Sequence, residues 1–433
     1  MNHKSYKRRL AALLPAALLA TALGACSDLL DVQNPGAVLD EQLGDTVNAS
    51  LMASTVVSDF QYIYDDIARN SSWFSDEMVT GHNFVGYREW DGRIMKEERT
   101  ELHSVYTFLH QARFSADTLA GRFNRLFPQP TAEQSLDLAR MRAYGGYSYV
   151  LLGELFCESP LQPDAAAVSS DDILRRGIKR FEQAIAAAST AKAGGVRAAR
   201  ADSLLNLARV GAARAYLDLG NKAKAIEFAS QVPAGFEFRT FYGESKDALE
   251  NIFFASSNGA NQNLGVDVTF RNLNDRRVLH TRTSRTGHNG ATPLFRPYQA
   301  PSFSGWVASG DTVPFQKTTS IRFSSGLEAR YIVAEAGGMT DAQLLAFLNE
   351  RRAVGGQPAL TALPANPQAE LRDQRRRDFF LDGHRVGDLR RYKRFYGVDQ
   401  WPKGQHPDPF IGTYGTAECF VPQLNEKLGN PAY

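Results

Sequence analysis

The feature that most constrains the fold is a pair of helical segments in residues 203–233, SLLNLARVGAARAYLDLGNKAKAIEFASQVP. Leu219-Gly220 predicts the end of the first helix, Asn221 predicts the start of the second, and Pro233 follows it. Small residues lie where the two helices would cross, and an aromatic residue precedes the turn. Each helix has an apolar stripe that needs a partner, so the segment predicts helices packed in pairs.

Neighbouring segments repeat this organisation. Within residues 131–233, Thr131 has the spacing of a capping box and Ser169 begins a further helix. A weaker pair occupies about residues 326–353, where Thr340 can cap the second helix. The pairs resemble tetratricopeptide repeats, whose units stack to bury their faces. We therefore expect a mainly α fold with a tetratricopeptide-like helical superhelix and few short strands.

The segment between the helical pairs has a different amino-acid composition. Residues 256–320 are rich in Gly, Asn, Ser, Thr and Pro, and they include short runs that predict extended structure, such as VDVTF. A long irregular insert in a compact protein is usually functional or disordered. Its aromatic residues, among them Phe295 and Phe303, argue against disorder. We therefore predict a loop-rich ligand region here.

The N-terminus has the plan of a secretory signal. Four basic residues precede the apolar run LAALLPAALLATALGAC, and no acidic residue occurs before Asp28. Leu23-Gly24-Ala25-Cys26 resembles the lipobox of bacterial lipoproteins, in which the cysteine is lipidated and becomes the first residue. The prediction is a signal peptide at 1–25, a lipid-anchored tether at 26–45 and a single domain at 46–433. The alternative is an ordinary signal peptide with a chance cysteine.

The net charge argues against a general polyanion ligand. The chain has 49 Lys and Arg against 47 Asp and Glu, but four of the basic residues belong to 1–25, and the remainder carries a net charge of −2. The segment 375–391, RRRDFFLDGHRVGDLRR, has six arginines interspersed with acids. Asn366 and Pro367 begin a helix that we expect to run to Asp382. Mixed charges indicate ion pairs and carbonyl contacts, not nucleic-acid binding.

Motifs of catalysis and metal binding are absent from the sequence. It has no G-x-S-x-G, H-E-x-x-H, phosphate-binding glycine loop or clustered metal-ligand spacing. Acid pairs such as Asp76-Glu77 are common on ordinary surfaces, and His103 and His110, seven residues apart, are more typical of packing than of a metal site. We expect no enzyme activity, no metal and no cofactor.

Four segments together resemble one family. RRRDFFLDGHRVGDLRRY resembles the late signature of SusD/RagB proteins, an arginine-rich helix followed by Gly-His-Arg and Asp-Leu-Arg-Arg. AYGGYSYVLLGELFCESPL, RYIVAEA and FVPQLNEKLGNP resemble other segments of that family. Val386-Gly387 replaces the aromatic pair often found after Gly-His-Arg. This difference bears on the assignment to a subfamily and not on the resemblance to the family.

The resemblance implies a function as well as a SusD-like fold. It implies a surface-exposed lipoprotein of the outer membrane that captures a nutrient, commonly an oligosaccharide, without catalysis. It also implies a partner, a TonB-dependent transporter barrel of the SusC type. The alternative is a repeat-type scaffold that holds other envelope proteins together, which tetratricopeptide helices would suit equally well.

Two loop segments are the candidates for ligand contact. DEMVTGHNFVGYREWDG at 76–92 and FRPYQAPSFSGW at 295–306 place turn residues around aromatics. Aromatic faces can stack on the apolar faces of sugar rings, while polar neighbours bind hydroxyls. The predicted ligand-binding residues are Asp76, Tyr87, Arg88, Trp90, Tyr298 and Trp306. The alternative for each ring is that it fastens its loop to the helical core.

Cys157 and Cys419 are the only thiols besides Cys26. A compartment that permits disulfides would allow this even pair to form a bridge. We predict the bridge, and the alternative is two buried free thiols.

Overall fold

Helices dominate the part of the chain that the computed structural model describes, residues 48–99, 101, 103–258, 262–287, 290 and 292–433. They are α1 (Ala49–Phe74), α2 (Val85–Asp91), α3 (His103–Leu126), α4 (Ala132–Leu155), α5 (Ser170–Ala193), α6 (Ala198–Asp218), α7 (Lys222–Ala229), α8 (Ile252–Ser257), α9 (Val268–Arg271), α10 (Gly326–Glu335), α11 (Asp341–Gly355), α12 (Pro367–Asp378), α13 (Arg385–Tyr396) and α14 (Leu424–Gly429). The predictions for residues 1–45, including Cys26, lie outside the described residues.

The helices begin at the capping residues that the sequence predicts. Thr131 forms a complete capping box at the start of α4, and Thr340 forms one at the start of α11. The side chains of Ser169, Asn221 and Asn366 each accept a backbone hydrogen bond from the first turn of α5, α7 and α12. These bonds satisfy amides that have no partner within the helix. The prediction of paired helices in a mainly α fold is confirmed.

Small residues allow α4, α5 and α6 to cross closely. A Cβ on Gly146 of α4 would lie 2.5 Å from Cε1 of Phe181 in α5, and one on Gly211 of α6 would lie 2.2 Å from Cζ of the same ring. The Phe181 ring is fully buried between them. Any larger residue at these two glycines would have to displace the ring, which explains why the tetratricopeptide-like pattern carries small residues there.

Short antiparallel strands connect the helices. They are β1 (Met78–Thr80), β2 (Glu158–Ser159), β3 (Val168–Ser169), β4 (Glu237–Arg239), β5 (Leu264–Val266), β6 (His280–Thr286), β7 (Pro293–Pro297) and β8 (Arg322–Ser325). They pair as β1–β5, β2–β3, β4–β8 and β6–β7. Strands β5, β6 and β7 lie in the loop-rich insert, whose described part includes the β6–β7 hairpin and the short helix α9.

The core joins the first helix to the repeat helices. Phe60 and Tyr64 of α1 pack against Phe323 of β8, with ring centroids 5.2 and 5.4 Å apart. Tyr147 of α4 lies 5.1 Å from the same Phe323 ring. All four rings are essentially inaccessible to solvent. Residues 49–433 form one compact unit.

Two local predictions are wrong. VDVTF does not continue as a strand, because the Asp267 side chain accepts a hydrogen bond from the Thr269 amide and starts α9. Helix α12 ends at Asp378 instead of running to Asp382. The reason is that Leu381 has a left-handed backbone conformation, with φ at 64°, and its amide donates to the Glu77 carboxylate.

The structure bonds Cys157 to Cys419, whose Cα atoms are 5.5 Å apart. Beside this disulfide, Phe156 and Phe420 form a parallel β-bridge. The end of α4 is therefore tied covalently to the C-terminal segment. In the part of the chain that the structure describes, no helix is both long and apolar enough to cross a bilayer.

Candidate functional site

The arginine-rich segment is an interior ion-pair network. Asp378 is fully buried and accepts hydrogen bonds from Arg277 Nη1 at 3.0 Å, from Arg351 Nε and Nη2 at 2.8 Å each, and from the Tyr331 hydroxyl. Burial by itself would raise the pKa of Asp378, but the two guanidinium groups lower that pKa to about 2. The carboxylate is therefore ionised at neutral pH and holds two cations in the core.

The remaining arginines of the segment have similar roles. Asp388 accepts from Arg375 Nε at 2.7 Å and from Arg391 Nη2 at 2.6 Å. Arg390 donates to backbone carbonyls at the end of α4, at 2.8 Å to Gly153 and 2.6 Å to Glu154. These side chains are bound to carboxylates and carbonyls, as the mixed charge pattern predicts. They are not arranged as a phosphate-binding face.

Two of the predicted ligand residues are buried. Asp76 is 7% exposed and accepts from Arg385 Nε and Nη2 at 2.6 and 2.7 Å. Trp90 is 5% exposed, its indole N–H donates to a backbone carbonyl of α1, and its ring centroid lies 4.1 Å from that of Phe420. The expectation that both face a ligand from a loop is wrong. The segment around Trp90 is helix α2, which turns this ring toward the core.

The ring of Tyr87 takes part in a surface cluster. It lies parallel to His82, with centroids 4.4 Å apart and an interplanar angle of 20°. Phe84 lies 6.2 Å from Tyr87 and is 57% exposed. Beneath them, the fully buried Trp73 contacts both His82 and Tyr87 edge-on. We call His82, Phe84 and Tyr87 the aromatic patch.

The electrostatics of the patch keep it uncharged at neutral pH. Burial and the neighbouring Arg69 guanidinium lower the pKa of His82 to about 4. Burial raises the pKa of Tyr87 above its ordinary value of 10. Both rings are therefore neutral over the physiological range, and both can present flat apolar faces together with polar edge atoms.

The sheet contacts bring the hairpin of the loop-rich insert next to the patch. β1 pairs with β5, and the amide of Gly81 donates to Asn263 O at 2.6 Å. A Cβ on Gly81 would lie 2.7 Å from Leu294 Cδ1 in β7. Phe295 of the same strand is half-buried, and the guanidinium carbon of Arg271, at the end of α9, lies 4.0 Å from the centroid of the Phe295 ring. Segments far apart in sequence therefore meet beside the aromatic patch.

Arg88, Tyr298 and Trp306 are half-buried, so part of each side chain is accessible. The Arg88 Nε and Trp306 Nε1 atoms make no hydrogen bond to any described residue. Among the described contacts, no hydrogen bond or ring contact joins Trp306 to the aromatic patch. Ligand contact by Tyr87, Arg88, Tyr298 and Trp306 stays a prediction.

His82 and Phe84 are not among the residues that the sequence predicts to bind ligand. Both lie in the segment at 76–92, where the predicted aromatic and arginine contacts are Tyr87, Arg88 and Trp90. Their position relative to the start of helix α2 is the signal that would have predicted their exposure. A helix that begins at Val85 leaves His82 and Phe84 in the preceding turn, while it directs Trp90 toward the core.

Among the described residues, His110 and Glu77 have packed surroundings, whereas Glu97 is only half-buried. His110 Nε2 is 2.9 Å from Ser159 Oγ. Glu77 is buried, and one of its carboxylate oxygens accepts from the Leu381 amide. Glu97 pairs with Lys427. Within the described ranges, no three or more His, Cys, Asp or Glu side chains are grouped so that they could hold a metal ion.

Solved structures share this architecture over almost their whole length. A SusD homolog from Bacteroides thetaiotaomicron superposes with a TM-score of 0.66 at 14% identity, covering 92% of this chain and 98% of that one. A SusD-like carbohydrate-binding protein from Bacteroides vulgatus gives a TM-score of 0.63 at 12% identity, covering 88% and 97%. The chain has a SusD-like fold.

Another protein with the SusD-like fold is surface glycan-binding protein A from Bacteroides uniformis. It gives a TM-score of 0.64 at 14% identity and covers 91% of this chain and 99% of that one. No family model matches the sequence, and no curated protein matches it. At such low identities the likeness establishes the SusD-like fold, and the function has to be argued from the surface of this chain.

Proposed function

We propose that this chain is a surface-exposed outer-membrane lipoprotein that captures an oligosaccharide and delivers it to a TonB-dependent transporter of the SusC type. The observation that carries the proposal is an uncharged, partly exposed aromatic patch on a SusD-like fold. Three of the structures that share the fold are a SusD homolog, a SusD-like carbohydrate-binding protein and a surface glycan-binding protein.

The chemistry of the patch suits a sugar ring. Pyranose rings have apolar faces formed by C–H groups, and these faces stack on flat aromatic surfaces. Phe84 offers an exposed ring, and the stacked pair of His82 and Tyr87 offers polar edge atoms that can bind hydroxyls. The buried Trp73 fixes this pair from below, so little side-chain freedom is lost on binding.

The proposed activity is binding without catalysis. Asp378 and Asp388, the two carboxylates of the arginine-rich segment whose pKa values are lowered, bind arginines in the core. They cannot approach a glycosidic bond in this conformation. Delivery to a transporter rests on the resemblance of the sequence segments to SusD/RagB proteins and on the shared fold.

Membrane attachment is tested by the variant Cys26→Ser. We expect this variant to be soluble or unprocessed, because the thiol that would carry the lipid is lost. Wild type should appear in the membrane fraction and incorporate labelled fatty acid. Ser27→Ala serves as the control, because it changes the adjacent residue and keeps the thiol. Acyl labelling of Cys26→Ser at the wild-type level would contradict the lipoprotein proposal.

Glycan capture at the aromatic patch is tested by the double variant Phe84→Ala/Tyr87→Ala. We expect its affinity for an oligosaccharide to fall by roughly 10- to 100-fold for each of the two rings that stacks on the sugar, because one aromatic stacking contact contributes on the order of 1 to 3 kcal/mol. Calorimetry with neutral linear hexasaccharides of glucose, xylose and mannose measures this effect. Phe241→Ala removes another exposed ring, 70% accessible, and is the matched control.

The outcome also separates glycan capture from the scaffold alternative, which stacked helix pairs would suit equally well. Thermal melts must first show that the double variant is folded. A folded double variant that binds every hexasaccharide as wild type does would remove the patch as the ligand site. Failure of wild-type protein to bind any of the hexasaccharides would favour the scaffold.

A further inference from the structure

A second concave surface has no lining residue in common with the aromatic patch. It is a cavity of about 600 Å³ between helix α3, the segment 160–164 that follows β2, and the C-terminal helix α14. Pockets that hold small ligands have volumes of about 300 to 1,000 Å³. The cavity is therefore large enough for several sugar units. None of the residues predicted from sequence to bind ligand lines it.

A buried cation lies at the wall of this cavity. Arg113 of α3 is only 4% exposed, yet it forms no salt bridge with a described residue. Its Nε and Nη1 atoms donate no hydrogen bond to any described residue. The nearby Asp117 carboxylate is bound by Arg180 at 2.5 Å. The Arg113 guanidinium carbon lies 5.8 Å from the centroid of the Tyr149 ring, so the cation has an aromatic neighbour but incomplete hydrogen bonding. Incomplete hydrogen bonding of a buried guanidinium is costly, so it favours an acceptor bound in the adjacent space.

The rest of the lining mixes donors and acceptors. Asp164 and Glu426 supply carboxylate acceptors, and amide side chains such as that of Gln162 supply both kinds of group. His110, which lies on the same side as Arg113, has a pKa that burial and Arg113 lower to about 3, so this imidazole is neutral. A lining with both signs of charge is poorly suited to a strongly anionic ligand and well suited to neutral hydroxyl groups.

The rim supplies an aromatic face. Phe114 follows Arg113 on α3 and is 51% exposed, and no described ring packs against it. Tyr106, one of the wall residues, is held by a 3.2 Å contact between its hydroxyl and Ser159 Oγ. An open ring beside convergent polar groups is the arrangement that binds the apolar face and the hydroxyls of a sugar together.

We propose that this cavity is a second binding site for a neutral oligosaccharide, with Phe114 stacking on a sugar ring and Arg113 favouring its oxygen atoms. The choice of ligand class rests on the proposed function of glycan capture. The geometry of the site does not rest on the aromatic patch, since the two surfaces have no lining residue in common.

Two variants test the site by different means. Phe114→Ala removes the exposed ring, and we expect it to weaken binding at the second site by roughly 10- to 100-fold. Gly429→Trp adds a bulky side chain to the cavity wall, where a Cβ meets no atom within 4 Å, and we expect it to block the site. Phe241→Ala is again the control.

The measurement is calorimetry with the neutral hexasaccharides of glucose, xylose and mannose. Wild type should show two sites per chain, and both cavity variants should lose one of them while keeping the other. The Phe84→Ala/Tyr87→Ala protein should keep the cavity site alone. The cavity proposal would be overturned if folded Phe114→Ala and Gly429→Trp proteins both kept two unaltered sites. It would also be overturned if wild type had a single site that the patch variant abolished. Either result would leave the proposal of glycan capture intact. Absence of any binding to wild type would count against both proposals.

Discussion

Asp378→Asn is expected to lower the free energy of unfolding by about 3 to 5 kcal/mol, the cost of removing one partner from a buried ion pair. The neutral amide would remove the charge that Arg277 and Arg351 share. Among the described ion pairs, Arg277 would keep the buried Asp275 as a partner, and Arg351 would keep only the more exposed Glu350. Urea unfolding followed by circular dichroism at pH 7 measures the change. A variant as stable as wild type would show that the network contributes little to folding.

The matched control is Asp172→Asn, the same chemical change in a pair with Arg175 whose side chains are 54% and 57% exposed. The midpoint of its urea unfolding curve should change little, because solvent screens exposed ion pairs. The pKa gives a second readout. The pKa of Asp378 is lowered from 3.8 to about 2 in the folded protein, so this stabilisation is present above about pH 4 and is lost as the pH falls toward 2. The Asp378→Asn protein should lack that component of acid sensitivity.

Removal of the disulfide is expected to lower the free energy of unfolding by a similar amount. The double variant Cys157→Ser/Cys419→Ser opens a link between residues 262 positions apart. In the chain-entropy model, closing so long a loop stabilises the folded state by up to about 5 kcal/mol. Urea unfolding under non-reducing conditions should show this loss. The bridge joins the end of α4 to the C-terminal segment, so hydrogen exchange should increase most around residues 417–423.

Two controls accompany this experiment. Wild type treated with dithiothreitol should approach the stability of the double variant, whereas the double variant should not respond to the reductant. Thiol counting on denatured, unreduced wild type should find neither Cys157 nor Cys419 free. Two reactive thiols at these positions would contradict the bridge in the isolated protein.

The helices could be predicted because their signals are local. Thr131, Ser169, Asn221 and Thr340 cap their helices through atoms within three residues along the chain. The exception is the end of α12, which the sequence places four residues too late. A distant carboxylate, that of Glu77, binds the Leu381 amide and stabilises the turn. No local pattern contains that contact.

The candidate site could be predicted only in part. The segment at 76–92 was found because aromatic residues surround turn residues, and Tyr87 does lie in the aromatic patch. The exposure of each ring depends on the residue at which helix α2 begins and on the side of α2 that packs against α1. That packing buries Trp90 and leaves Phe84 exposed. The cavity beside Arg113 left no sequence signal, because its walls come from residues near positions 110, 162 and 426.

The sequence by itself determined the helical pairs, the mixed-charge character of the arginine-rich segment, the loop-rich insert and the resemblance to SusD/RagB proteins. These properties follow from periodicity, capping and motif, all of which act over short distances along the chain. Only the tertiary structure decided the partners of the arginines, the exposure of each ring and the shape of the cavity. Those depend on residues that are hundreds of positions apart, such as Asp76 and Arg385, and their burial is set by the packing of whole helices.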